Sequence, residues 1–185
     1  MHNKVVYHAM KAFSGFGLPV LRFNFRGAGL SEGAHDNGIG EQDDVRAAVD
    51  WLEQTLGKPI LFAGFSFGSY VGMRACCGDL RVAGLVALGL PVQAEDRSYA
   101  YGYLPACSQP KLFINGDHDK FGPRAAVEKV VATAPAPKQM IWIEGADHFF
   151  AGIPGSPASK LAEMQATLRS WLAATFPEIG GEVHV

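Results

Sequence analysis

"FAGFSFGSY", residues 62–70, decides how the rest of this chain is read. It contains Gly64-Phe65-Ser66-Phe67-Gly68, a G-x-S-x-G pattern. Between a strand and a helix, such a serine stands on a sharp turn with its hydroxyl exposed, as a nucleophile must. The pattern alone is weak, because glycine makes up 22 of 185 residues. A second match, Gly29-Leu30-Ser31-Glu32-Gly33, lies upstream. Local context separates the two. Pro59–Phe65 is a short apolar run expected to be a buried strand, and Phe67–Cys77 is a small-residue helix stopped by Gly78. Ser66 therefore ends a strand and opens a helix. Ser31 is followed by glycine, histidine, aspartate and asparagine, and reads as a loop residue. Gly64 and Gly68 are expected to make room for the turn. The backbone N–H of Phe67 is expected to face a developing oxyanion.

The same alternation extends in both directions. Val5–Phe16 reads as a helix, Leu18–Phe25 as a strand, and residues 26–40 as a glycine-rich loop. Val45, Ala48, Val49, Leu52 and Leu56 recur at helical spacing. Acidic Glu41, Asp43 and Asp44 open that helix and Gly57 closes it. Val82–Leu90, Pro110–Asn115 and Gln139–Ile143 read as further strands, and Ala125–Ala132 as a helix between the last two. Ser156-Pro157 is a plausible cap for a final helix carrying Leu161, Met164, Leu168, Trp171, Leu172 and Phe176. The expected fold is one α/β domain over residues 1–185: a mainly parallel sheet of about five strands flanked by helices. Ligands of such sheets bind beyond the carboxyl ends of the strands. Function is therefore expected in the loops after Phe25, Phe65, Leu90, Asn115 and Ile143.

Composition narrows the function classes. Hydrophobic residues make up 48% and charged residues 18%, the balance of a globular chain. A net charge of −2 gives no reason to expect nucleic acid or an anionic membrane as partner. The longest apolar stretch, Val82–Val92, is broken by Gly84, Gly89 and Pro91. It falls well short of the ~20 residues of a membrane span. The first ten residues lack a signal peptide's apolar core. Three cysteines, two of them adjacent, form no disulfide framework and suit the cytoplasm. A homo-oligomer is left open.

A serine hydroxyl needs a base, and the base needs a third group to fix its tautomer. His148 lies after one strand in "GADHFF", and Asp119 after the preceding one in "GDHDK". Ser66, Asp119 and His148 follow the chain order nucleophile, acid, base. Each lies beyond the carboxyl end of a successive strand candidate. Asp119 is preferred over Asp117 because it lies further out along the loop. Asp117 and Asp147 read as turn residues. His2, His8, His35 and His184 receive no role. Phe65, Tyr70, Phe149 and Phe150 could line an apolar substrate pocket, or simply pack. The runs "DHD" and "DH" match no standard ligand spacing, so neither metal nor organic cofactor is expected. Cys76 and Cys77 read as packing residues.

These segments together resemble the α/β-hydrolase superfamily, and within it small lidless bacterial hydrolases of the dienelactone-hydrolase-like and esterase-like kind. The matching stretches are "NKVVYHAMKAF", "LRFNFRGAGLSEG", "GIGEQDD", "LFAGFSFGSYV", "NGDHDKFGP" and "GADHFF". They run from about residue 3 to 172. The resemblance implies Ser66, Asp119 and His148 as nucleophile, acid and base. It also implies that the Ser31 match sits in the loop after the family's fourth strand. Lidded relatives insert a helical cap where this chain has only residues 92–109, so no substantial lid is expected.

The family places three more strands and an oxyanion loop ahead of "NKVV". The resemblance thus implies that one oxyanion donor is missing, and that a strand is absent between Leu18–Phe25 and Pro59–Phe65. Either those two segments pair directly, or a partner chain fills the gap, or the chain is a piece of a longer product. The leading expectation is a serine hydrolase cleaving small carboxylic esters through an acyl-enzyme. The alternative is a non-catalytic binding module on the same fold.

Overall fold

The computed structural model describes residues 3–94, 97–153 and 159–179. Helix α1 (Lys4–Ser14) starts where the Asn3 side chain accepts the N–H groups of Val5 and Val6. Helix α2 (Glu41–Leu56) carries three acids in its first turn and ends at Gly57, whose φ of 57° suits the left-handed cap. Strand β1 (Ile60–Phe65), helix α3 (Phe67–Cys76) and strand β2 (Val82–Leu88) follow. Two-residue strands β3 (Gln93–Ala94) and β4 (Arg97–Ser98) form a small hairpin, succeeded by a 3-10 turn at Leu104–Ala106. Strand β5 (Lys111–Gly116), helix α4 (Arg124–Ala132), strand β6 (Lys138–Ile143) and helix α5 (Leu161–Thr175) complete the order. The expected cap at Ser156-Pro157 lies outside the described residues.

The main sheet is parallel throughout, in the order β1-β2-β5-β6. Its side chains divide by alternation, as the period of two requires. Leu85, Ala87 and Phe113 face one core with Val45, Val49, Val71, Met73, Val127 and Val131 of α2, α3 and α4. Val86, Leu88, Leu112 and Ile114 face a second core with Val5, Ala9 and Phe13 of α1 and Leu161, Met164, Leu168 and Leu172 of α5. Both faces are covered, so β2 is apolar end to end and β5 is buried along its whole length. Among the described residues, no helix is long and apolar enough to cross a membrane.

One expected strand does not form. Residues 18–25 belong to no ladder, and among the described residues the main sheet has four strands, close to the expected about five. Val20, Leu21 and Phe23 remain 38–39% exposed. Between this segment and β1 lies a cleft of about 850 Å³, lined among others by Phe13, Leu18, Val20, Ile60, Leu61 and Ala63. Paired strands run about 4.8 Å apart, which leaves no such space. Direct pairing of the two segments is therefore not what the chain does. The anchors at each end explain it. Leu18 donates its N–H to Phe13 O at the end of α1. Arg26 is clamped to Asp44 of α2 by its own backbone N–H (2.9 Å) and by Nη2 (2.8 Å). The segment is strung between two helices, away from the edge of β1.

Candidate active site

Ser66 occupies the turn between β1 and α3 with φ 52° and ψ −124°. Positive φ costs a non-glycine residue about 1–3 kcal/mol, and the surroundings must hold it there. They do so from both sides. Ser66 N–H donates to Leu88 O on the neighbouring strand (2.9 Å). Its carbonyl accepts from the N–H groups of Ser69 and Tyr70 and from the Ser69 hydroxyl. A Cβ added at Gly64 would meet Gly68 O at 2.5 Å, so the turn closes only with glycine at 64. The expectation for Gly68 differs. A Cβ there would meet nothing nearer than Phe25 Cε2 at 3.9 Å, because what crowds Gly64 is the backbone of residue 68.

The structure brings the three sequence candidates together. His148 Nε2 lies 2.9 Å from Ser66 Oγ, and His148 Nδ1 lies 2.8 Å from Asp119 Oδ2. An ionised Asp119 can only accept, so Nδ1 carries the imidazole proton and Nε2 is left to accept from the serine hydroxyl. The Asp119 carboxylate is buried and fully engaged. Oδ1 accepts the N–H groups of Phe121 (2.8 Å) and Gly122 (3.1 Å), and Oδ2 accepts from Asn115 Nδ2 (3.3 Å). The histidine ring is wedged among Phe121, Phe65 and Phe149, with centroids at 4.7, 5.0 and 5.2 Å. A Cβ at Gly89 would stand 3.2 Å from its Cε1.

Sequence reasoning missed Asn115. It is fully buried, and its Oδ1 accepts the Leu90 N–H (3.0 Å) while Nδ2 donates to Leu90 O (3.2 Å) and Asp119. It ties the end of the β2 segment to the acid. A lone amide directly after the apolar run Leu112–Ile114 was the available signal.

Other candidates are distributed differently. Among the described residues the Phe67 N–H meets no acceptor and stands at the start of α3. Phe65 and Phe149 touch the histidine ring, and Phe149 is 54% exposed. Tyr70 is buried against Tyr99 and Tyr101. Phe150 is wholly buried in the α1/α5 core, so the structure gives it a packing position rather than one at the opening. Asp147 accepts from the N–H groups of Phe149 and Ala151, and Asp117 from that of Ala146, as turn residues do. Ser31 donates its hydroxyl to Asn24 O within its loop. Burial pushes the Cys76 thiol up to about 12, which keeps it protonated.

An open parallel sheet with a strained serine at the end of β1, and a histidine and an acid from later strand ends, defines a class of enzyme folds. Residues 1–175 match the alpha/beta hydrolase domain family, and the chain belongs to that family. It is similar to an alpha-beta serine hydrolase homologue from Coxiella burnetii, with 36% identity and a TM-score of 0.79; the match covers 94% of this chain and 78% of that one. It is similar too to an a/b serine hydrolase without lid from Xanthomonas campestris, with 31% identity and a TM-score of 0.76, covering 94% and 74%. A protein of Rickettsia prowazekii is 37% identical over 157 residues, which are 81% of this chain and 66% of that relative. The chain thus spans just under two thirds of that curated relative's length.

Proposed function

We propose that this protein is a serine esterase that cleaves small carboxylic esters through an acyl-enzyme. One observation carries the reading: Ser66 Oγ, on the turn between β1 and α3, forms an unbroken chain of 2.9 and 2.8 Å contacts with His148 and Asp119. Ser66 Oγ attacks the ester carbonyl while His148 Nε2 takes its proton. The oxyanion that forms is met by the Phe67 N–H at the positive end of α3. Collapse breaks the acyl–oxygen bond, and His148 returns the proton to the departing alcohol. Water then attacks the acyl-enzyme with the same histidine as base, and Ser66 is restored. Asp119 holds the ring in the required tautomer and stabilises the imidazolium.

The surroundings support the ester reading. Phe65 and the half-exposed Phe149 offer a shallow apolar wall beside the histidine, suited to short acyl groups. The neighbours described as serine hydrolases support the same chemistry. The contiguous Ser–His–Asp contacts favour an enzyme over a binding module. The test is a fluorophosphonate probe together with hydrolysis of 4-nitrophenyl acetate. The expected result is labelling at Ser66, and a loss of about 10⁴–10⁶ in kcat in Ser66→Ala. Labelling elsewhere, or turnover that survives Ser66→Ala, overturns the reading.

A further inference from the structure

Cys77 closes the helix that Ser66 opens, and Cys107 precedes the strand that leads to Asp119. Both cysteines therefore stand at the starting ends of the strands, about 15 Å along α3 from the proposed nucleophile, and the ester chemistry gives them no task. Far apart in sequence, they meet in the fold. Cys77 Sγ lies 3.9 Å from Tyr103 O. From that carbonyl the chain makes its 3-10 turn, closed by Ala106 N–H on Tyr103 O and Cys107 N–H on Leu104 O, both at 3.0 Å. The turn returns Cys107 to the same place.

Gln109 clamps the two sides together. Its Oε1 accepts from the Gly78 N–H (3.0 Å), next to Cys77, and from the Cys107 thiol (3.4 Å). Its Nε2 donates to Cys76 O (2.8 Å). Within this clamp the Cys107 and Cys77 thiols are in hydrogen-bond contact. That contact is the starting geometry a disulfide requires, since sulfurs held apart cannot be bridged without backbone movement. The two differ in access: Cys77 is half-buried and Cys107 is completely buried. Burial, and then the Cys77 thiol, push Cys107 up to about 12, so it stays protonated beside its neighbour. Lys111, at the start of β5, acts against that shift. Cys76 is placed differently. It is 1% exposed and packs in the core with Val71 and Met73. Successive residues along a helix do not face one another, so Cys76 is not the natural partner of Cys77.

We propose that Cys77 and Cys107 form a reversible dithiol site for peroxides, in which Cys77 takes the oxidant and Cys107 resolves it as an intramolecular disulfide. The inference is independent of the esterase reading. The Cys77 thiolate attacks one oxygen of hydrogen peroxide, and the O–O bond breaks. Its sulfur is oxidised to a sulfenic acid, and the other oxygen leaves as hydroxide, which the proton given up by the thiol converts to water. The Cys107 sulfur then attacks the Cys77 sulfur. The S–O bond breaks, and the departing hydroxide leaves as water with the Cys107 proton. Two thiols have lost two hydrogens, and one peroxide has become two waters. A small dithiol reverses the bond by exchange.

The test treats the full chain with a small excess of hydrogen peroxide, blocks the remaining thiols and maps unreduced peptides by mass spectrometry. The wild type is expected to keep one of its three thiols, with residue 77 joined to residue 107 in the monomer, and dithiothreitol to restore all three. Cys76→Ala is expected to form the same bond. Cys107→Ala is expected to strand Cys77 as the sulfenic acid, raising dimedone labelling there about tenfold or more. Cys77→Ser is expected to slow thiol loss about tenfold or more. A bond that includes Cys76, a bond between two molecules, or survival of all three thiols at a peroxide dose that oxidises glutathione overturns the proposal. Fragment ions of the wild-type peptide separate Cys76 from Cys77, so the decision does not depend on any variant folding.

Discussion

His148 Nδ1 lies 2.8 Å from Asp119 Oδ2 with both side chains almost closed to solvent, at 6% and 0% exposure. Such a pair fixes a tautomer more than it adds stability. Asp119→Asn keeps the shape, and its Oδ1 can still accept from Phe121 and Gly122. Its Nδ2, however, donates where the carboxylate accepted, so the imidazole proton moves to Nε2, facing Ser66. The expected outcome is a folded protein, by circular dichroism, whose kcat on 4-nitrophenyl acetate falls about 10⁴-fold.

The two glycines flanking Ser66 should respond oppositely. Gly64→Ala drives a methyl into the backbone of residue 68 and should cost about 3 kcal/mol or prevent soluble expression. Gly68→Ala meets open space within α3 and should leave the melting temperature unchanged or slightly raised. Thermal melts of the two variants check this.

Glu41 should govern part of the acid response. Burial pushes its carboxyl upward, but backbone N–H groups of Asp36, Glu41 and Gly38, with His35, outweigh that and hold it below the ordinary 4.5. A folded value below the unfolded one means stability that is full above pH 4.5 and lost as pH falls through the folded value. Urea titrations from pH 6 to pH 3 should show a shallower loss in Glu41→Gln than in the wild type, from a lower starting stability.

Lys111 behaves in the opposite sense. It is fully buried at the start of β5, and its Nζ donates to Pro135 O at 3.0 Å. Burial lowers its pKa below the ordinary 10.5. The charged form therefore destabilises the fold at neutral pH, and stability recovers as pH rises between the folded value and 10.5. Lys111→Met should raise the melting temperature by about 2–4 °C at pH 7 and flatten its dependence on alkaline pH.

Much of this was legible in the sequence, for identifiable reasons. Strand–helix alternation puts strand ends on one rim, so Ser66, Asp119 and His148 could be matched without coordinates. Their motifs are local, and each needs only its own turn. What failed needed information from elsewhere in the chain. Leu18–Phe25 is rich in strand formers, but a ladder requires a neighbour at hydrogen-bonding distance, and the anchors at Phe13 and Asp44 withhold one. His35 and Arg97 are 62 positions apart, and only the fold of the glycine loop lets them meet. Phe150 looked like Phe149, but its φ of 54° turns it from its neighbour's course into the core.

The cleft alongside β1 also bears on how this protein behaves in a concentrated tube. A terminal strand of a parallel sheet leaves half its peptide groups without ladder partners, and here they face a trough lined mainly by apolar side chains, with Arg22, Lys58 and Glu178 among its charged lining. That is a template for foreign backbone. Crowding, mild warming or long storage should produce sheet-linked aggregates through this flank first.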